Sequence, residues 1–504
     1  MVTSSASPSL FSRLLKPVLL GAATLLVAWL AAIGGLAPTR ASAIAVGAFI
    51  FVVGTILVAS EYRIPAAFGA LAVLVATRSM SLVDVLGHTQ LDIIFFLCGM
   101  MVIVGVLKDL GFMSWIIQSI ISRKNMTGVS FTIILCLLSA LLASILDEVS
   151  SIVVILALVF QVCDTLKIRP TPFVLIGVLC TNIGSPTTML GNPVGIFIGT
   201  KAGFTFTQFL HGASPITVVS ILATIGVLLL WFRQDIRLMT ERMEEHRREH
   251  KGLGPLVKIP YKTGLFILVA TVTTIAFHHQ IEALLGLVGT PGNHNAFLIV
   301  TPLVAAGILM AWRPHRAGHY VREDVEWETL LFFMLLFAIS GSLEVTGVTD
   351  NMALKLRTLT TRGLSTHMLS ALVVGISSIG SAFVDNMTFV AAFSPVIKEM
   401  VSFDTTYNTL WWALLFGACY GGNITVIGST ANIVALGLLE RHSHLRISFL
   451  EWFKVGLAVG VVTCVIGWAA ICIEPPPHPA VPQTPAPAAE VPDAAESAVV
   501  SVAP

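Results

Sequence analysis

Two short acidic or amide pairs stand inside otherwise apolar sequence. Asp147 and Glu148 follow the apolar run 131–146 and precede 152–160, and Asp385 and Asn386 lie between the runs 369–384 and 389–393. An ionised carboxylate at the centre of a bilayer costs at least ~2.5–3.5 kcal/mol, so it persists there only when paired, hydrated or bound to an ion. A second feature accompanies each pair. Gly184, Ser185, Pro186, Gly191, Asn192 and Pro193 interrupt one apolar segment, and Gly421, Gly422, Asn423, Gly428 and Ser429 interrupt another. Such breaks free backbone groups at membrane depth, where they must line a cavity or bind something. The N-termini of half-helices offer N–H groups to anions, whereas unwound carbonyls and C-terminal ends suit Na⁺.

The residues proposed for substrate or ion binding are therefore Asp147, Glu148, Ser150, Asn182, Ser185, Thr187, Thr188, Asn192, Asp385, Asn386, Thr388, Asn423, Thr425, Ser429 and Asn432, with Na⁺ sites in the Asp147 and Asn386 regions. No Lys or Arg lies in either motif, so the pattern supplies no fixed cationic clamp. Two plainer readings compete. Glycines in membrane helices also serve close packing, and the aspartates could simply hydrogen-bond the hairpin tips. Paired breaks, each beside an acidic hairpin, favour a binding function. Glu148, with no partner charge in the nearby sequence, is the sharpest proton or cation candidate.

The elements that must hold these residues are membrane helices. Of 504 residues, 55% are hydrophobic and 11% charged, less than half the charge of an ordinary soluble chain. Several apolar runs reach the ~20 residues of a bilayer crossing, without the alternation of barrel strands. Eleven crossings are expected, centred near residues 28, 50, 71, 99, 186, 223, 273, 304, 335, 424 and 463, plus two re-entrant hairpins whose apolar arms look too short to cross and return. The run 18–36 is long for a signal peptide and lacks a clean cleavage site, so it reads as the first crossing. The seven cysteines form no C-x-x-C pair and read as small core hydrophobes. A net charge of +1 leaves no footprint for nucleic acid.

The expected organisation is an N-terminal segment with the first crossing (1–40), a first repeat (41–232), a charged connector (233–262), a second repeat (263–473) and a disordered Pro/Ala-rich tail (474–504). The connector holds eight Lys/Arg and five Asp/Glu, with a short surface helix expected over 240–250. With the N-terminus inside, only Arg40, Arg78, Lys201, Lys355, Arg357, Arg362 and Lys398 fall outside; the other 22 of the 29 Lys/Arg fall inside. The positive-inside rule requires this asymmetry, and it places the tail outside, in the periplasm of a bacterial inner membrane.

Self-similarity recurs at an offset of about 237 residues. The segment 91–96 (LDIIFF) echoes 327–332 (WETLLF), and Gly105 and Gly111 match Gly341 and Gly347. The segment 146–150 (LDEVS) echoes 384–388 (VDNMT), and 184–191 (GSPTTMLG) echoes 421–428 (GGNITVIG). An odd number of crossings separates the copies, so the second is expected upside down. Inverted repeats place transporter sites at their interface near mid-membrane.

At these residues the sequence resembles the ion transporter superfamily of arsenite permeases, melanosomal P protein, NhaD-type antiporters and divalent anion/sodium symporters, with their citrate transporter-like domain. The segment 146–151 is similar to that family's L-D-N-V-T-T, 182–193 to N-I-G-G-T-A-T-L-I-G-D-P-P, and 422–432 to G-N-x-T-x-I-G-x-x-A-N. The resemblance implies a fixed scaffold, a moving transport unit and ions held at hairpin tips and breaks, in a homodimer. Here Glu148 stands where the family usually has Asn, Asn192 where Asp is common and Gly195 where Asn is common. The added carboxylate favours proton coupling at Glu148.

The expected function is an ion-coupled secondary transporter of a small anion, either an inorganic oxyanion such as arsenite or a di- or tricarboxylate, moved by alternating access. A Na⁺/H⁺ antiporter is the nearest alternative. Na⁺ or H⁺ is the coupling ion, no cofactor is implied, and the chain is not read as an enzyme. His246, Glu249 and His250 fit the H-x-x-E-H pattern of an inverted zinc-peptidase motif, but a solvated connector helix explains them better than a membrane-attached zinc hydrolase. A channel would lack coupling. A pump is disfavoured by the absence of a G-x-x-x-x-G-K-[ST] loop. His278-His279 and His442-x-His444 read as interfacial residues at helix ends.

Overall fold

The computed structural model describes residues 31–123, 125–248, 260–284 and 296–473, with Thr24 and Trp29. These residues form helices joined by short turns, and no strand occurs among them. Most of the expected first crossing, the tail from 474 on, and Glu249 and His250 of the zinc-like pattern lie outside the described residues.

Eight described helices are long and apolar enough to span a bilayer: Arg40–Val58, Leu91–Asp109, Gly128–Ile145, Glu148–Leu166, Phe206–Trp231, Trp327–Val345, Thr366–Phe383 and Phe449–Ile473. Phe112–Ile121, Lys262–Ala276 and Phe297–Trp312 are shorter and apolar. The chain is a polytopic all-α membrane protein. Local chemistry sets many helix starts. Thr39 with Ser42, Thr127 with Ser130 and Thr205 with Gln208 form reciprocal capping boxes, satisfying N–H groups that a helix start leaves free.

Two features differ from the sequence-based expectation. The arms of the first hairpin, Gly128–Ile145 and Glu148–Leu166, have 18 and 19 residues, about 27 Å each at 1.5 Å per residue. They exceed the uninterrupted apolar runs because Gly, Ser and Thr near their ends are carried in helix too. The connector helix spans Arg233–Arg248 rather than 240–250, and its Ile236, Met239 and Met243 are buried. Its polar sequence hid a narrow apolar stripe at helical spacing. The Thr240 hydroxyl accepts the Gly128 N–H at 3.0 Å, which docks this helix on the first hairpin.

Two groups of long-range polar contacts mark helix ends. One joins Arg63 to Glu328, Lys108 to Asp324, and Asp109 to Arg313 and Arg316. The other joins Glu344 to Lys398 and His88, and Lys355 to the Gly34 carbonyl. Leu91–Asp109 and Trp327–Val345 each run from one group to the other, so the two groups mark opposite ends of the helical bundle.

Candidate functional site

Both expected breaks are present. Thr171–Gly184 ends in a 3-10 turn over Ser185–Thr187, and the chain resumes helix at Pro193–Ala202. Thr409–Gly421 gives way to a 3-10 turn over Val426–Gly428 and resumes at Thr430–Ser443. Each second half is capped by its own polar side chain. Asn192 Oδ1 accepts the Gly195 N–H at 2.7 Å, and Ser429 Oγ accepts the Ala431 N–H at 3.2 Å.

Each break is fastened to its hairpin in the same way. The Thr188 hydroxyl donates to the Ser144 carbonyl, and the Thr425 hydroxyl to the Ala382 carbonyl. A Cβ on Gly184 would stand 2.2 Å from the Ala140 Cα, and one on Gly421 would stand 2.4 Å from the Ser378 Cα. Only glycine permits such backbone approach.

The two breaks meet through a buried amide cluster. Asn182 Nδ2 donates to Asn423 Oδ1 at 2.9 Å and to Asn432 Oδ1 at 2.8 Å, while its Oδ1 accepts the Ser429 hydroxyl at 3.0 Å. Asn432 Nδ2 donates to the carbonyls of Gly422 and Thr425, and Asn423 Nδ2 to that of Leu179. Asn192 Nδ2 donates to Ser185 Oγ at 2.7 Å and contacts Cys419 Sγ at 3.3 Å. These amides satisfy one another, as buried polar groups must.

The carboxylates differ in what they do. Asp147 and Asp385 both cap the second arms of their hairpins. Asp147 Oδ1 accepts the Ser150 N–H at 2.7 Å, and Asp385 Oδ2 accepts the Met387 N–H at 3.2 Å. Asp385 also accepts the Thr430 hydroxyl at 3.1 Å, tying the second hairpin to the second break. Glu148 is only 3% exposed. Its Oε1 takes a long contact of 3.4 Å from the Ser429 hydroxyl, and its Oε2 has no hydrogen-bond partner. Asn386 lies beside it, with Asp147 and Asp385 as its charged neighbours. Thr388 is also buried, and its hydroxyl is unpartnered.

Two cavities reach this cluster. The first, of about 70 Å³, is lined by Asp147, Glu148, Ser150, Asn192, Asp385, Asn386 and Thr430, with Lys108, Asp324, Glu326 and Thr329. The second, of about 280 Å³, is lined by Arg63, Glu61, Thr329, Asp385 and Thr430. A water needs only ~10–15 Å³ of such space, so both can hydrate the carboxylates. Thr187, which hydrogen-bonds the Gly184 carbonyl at 2.6 Å, is not among the residues lining either cavity.

The structure adds residues that the motifs omit. Arg63 and Lys108 bring positive charge to the cavities from helices far away in sequence, so the absence of Lys and Arg from the motifs does not carry over to the site. Arg63 is held over the Phe332 ring at 5.4 Å and pairs with Glu328 at 3.4 Å. Six acids, Glu61, Asp147, Glu148, Asp324, Glu326 and Asp385, still outnumber these two bases. The local signal was weak. Glu326 and Arg63 merely begin helices, and Lys108 merely ends one.

The sequence pattern of the citrate transporter family matches residues 55–417, which contain both hairpins and the first break. The chain belongs to the citrate transporter family. An uncharacterized transporter of Mycobacterium tuberculosis is 31% identical over 428 residues, covering 83% of this chain and 95% of that protein. Human P protein is 26% identical over 510 residues, covering 86% of this chain and 60% of its own length. Among solved structures, the YdaH transporter of Alcanivorax borkumensis aligns over 77% of this chain and 85% of its own at 15% identity, with a TM-score of 0.49. This chain is thus a multi-pass membrane transporter rather than an enzyme. Among its described residues no cluster of three or more His, Cys, Asp or Glu could hold a metal ion. His442, from the interfacial pairs, hydrogen-bonds Asp164 at 2.8 Å and stacks on Phe160.

Proposed function

We propose that this transporter is a cation-coupled secondary carrier of a small anion, with Glu148 as the coupling site. The observation that carries the reading is the buried, unpartnered Oε2 of Glu148 at the meeting of the two hairpin tips. A buried carboxylate oxygen without a partner is costly. A proton or a Na⁺ at that oxygen removes the cost, and Asn386, Ser429 and Asp147 are the neighbouring oxygen donors. The acid surplus of the cavities means that an anion, whether a carboxylate or an oxyanion, enters accompanied by cations.

The same surplus supports a second reading, Na⁺/H⁺ exchange without an anion. Asp147 and Asp385 serve as caps in either case.

The two halves are read as inverted repeats related by alternating access. The first hairpin starts at Gly128 against Thr240 of the connector, which is read as inside from the Lys/Arg distribution, whereas Lys398 of the second hairpin lies in the group of Glu344. Opposite entry of the hairpins supports the inversion. The Lys/Arg distribution supports an inside location for the Asp109 end and an outside location for the tail, in a bacterial inner membrane. Both cavities then open inward.

Uptake into proteoliposomes under imposed Na⁺ or H⁺ gradients, with citrate, succinate, arsenite and Na⁺ each tested, separates the two readings. Glu148→Gln should flatten the pH dependence of transport; an unchanged profile would remove Glu148 from the mechanism.

A further inference from the structure

We propose that Glu326 is the proton-transfer station between solution at the Lys108 end and Glu148. The inference rests on the reading of Glu148 as the coupling site. Glu326 lies outside both motifs, at the start of Trp327–Val345, yet faces the same water-sized cavity as Asp147 and Glu148. Glu148 is 3% exposed and its Oε2 is unpartnered, and that cavity gives a proton a path to it. The other acids near the mouth are already engaged. Asp147 Oδ1 caps the Ser150 N–H, and Asp324 is 3.6 Å from the Lys108 ammonium. Glu326 accepts only a neutral donor, the Thr329 hydroxyl at 3.2 Å.

The charged groups around Glu326 come from several elements: Lys108, Asp324, Asp147, Glu148 and Asp385 in the shared cavity, and Arg63 at the start of Arg63–Ala76. Burial raises its carboxyl above the ordinary glutamate value, and the Asp147 charge raises it further; Thr329, Lys108 and Arg63 act the other way. A raised carboxyl takes a proton from solution at a milder pH than a free glutamate does. A hydronium or buffer acid protonates the Glu326 carboxylate; the proton then passes through cavity water to the Glu148 carboxylate, and Glu326 returns to its anion.

The test needs no substrate. The full chain is reconstituted in liposomes, and the rise of the carboxyl infrared band is followed after a rapid drop in pH. The Glu148 band is identified by its loss in Glu148→Gln. In Glu326→Gln that band should rise at least tenfold more slowly, and azide or formate as mobile proton donors should restore the rate, while Glu326→Asp keeps part of it. An unchanged rate in Glu326→Gln, with or without a shifted titration midpoint, overturns the relay and leaves Glu326 as an electrostatic neighbour. A wild-type spectrum with no band lost in Glu148→Gln overturns the coupling site itself, and the relay with it.

Discussion

Asn182 accepts a hydrogen bond of 3.0 Å from Ser429, joining the first break to the second across 247 residues of chain. At the 237-residue offset of the sequence repeat, Asn182 corresponds to Cys419 and Ser429 to Asn192, and these two also touch, with Asn192 Nδ2 3.3 Å from Cys419 Sγ. The two contacts thus join matching positions of the two sequence copies. The break-to-break contact is a small buried polar interface with Glu148 at its edge.

Asn182→Ala should weaken that interface. It leaves Asn423 Oδ1, the Ser429 hydroxyl and one acceptor of Asn432 with fewer partners, and each unsatisfied buried group costs about 1–3 kcal/mol. Thermal unfolding in detergent should show a lower midpoint, with Asn182→Asp no better because it loses the donating amide.

Gly184→Ala and Gly421→Ala should destabilise to a similar degree, because each new Cβ meets backbone rather than a movable side chain. Overpacking of this kind costs roughly 1–3 kcal/mol. Gly437→Ala is the contrast. It lies inside Thr430–Ser443 with nothing within 4 Å of the added Cβ, and helix propensity alone favours Ala by up to ~1 kcal/mol. Midpoints of the three variants measured side by side check the order.

Arg63→Gln should separate stability from transport. The Glu328 partner is 72% exposed, and exposed pairs contribute about 0–1 kcal/mol. The unfolding midpoint should barely move. Anion uptake should need about tenfold more substrate, the equivalent of ~1.4 kcal/mol, since one of only two bases lining the cavities is gone. Initial rates of uptake over a range of citrate concentrations measure this.

Glu326→Gln should become relatively more stabilising as pH rises. The folded carboxyl lies above its ordinary value of 4.5. Its favourable contribution is therefore full below that value and is lost as pH rises through the folded pKa. Glutamine carries no such penalty. The difference in unfolding midpoint, variant minus wild type, should be near its minimum at pH 4 and grow toward pH 7; a difference independent of pH contradicts the assignment.

Much of this was legible along the chain because lipid imposes harsh local rules. Apolar runs of bilayer length, acids at 147–148 and 385, and Gly and Pro inside such runs are costly unless used, so their positions alone marked both hairpins and both breaks. Capping was less legible. That Asp147 and Asp385 begin helices depends on where the hairpin arms start, and the arms ran longer than their apolar cores.

The amino-acid order by itself determined the membrane class, the repeat, the family and the two candidate motifs, because each depends on composition or spacing within tens of residues. The tertiary structure alone decided which groups share a cavity. Lys108 and Glu326 share a cavity with Glu148, and Arg63 shares one with Asp385, only after helices distant in sequence have packed. Charge interactions act through space, and nothing in the local pattern around a helix end reports its neighbours across the bundle.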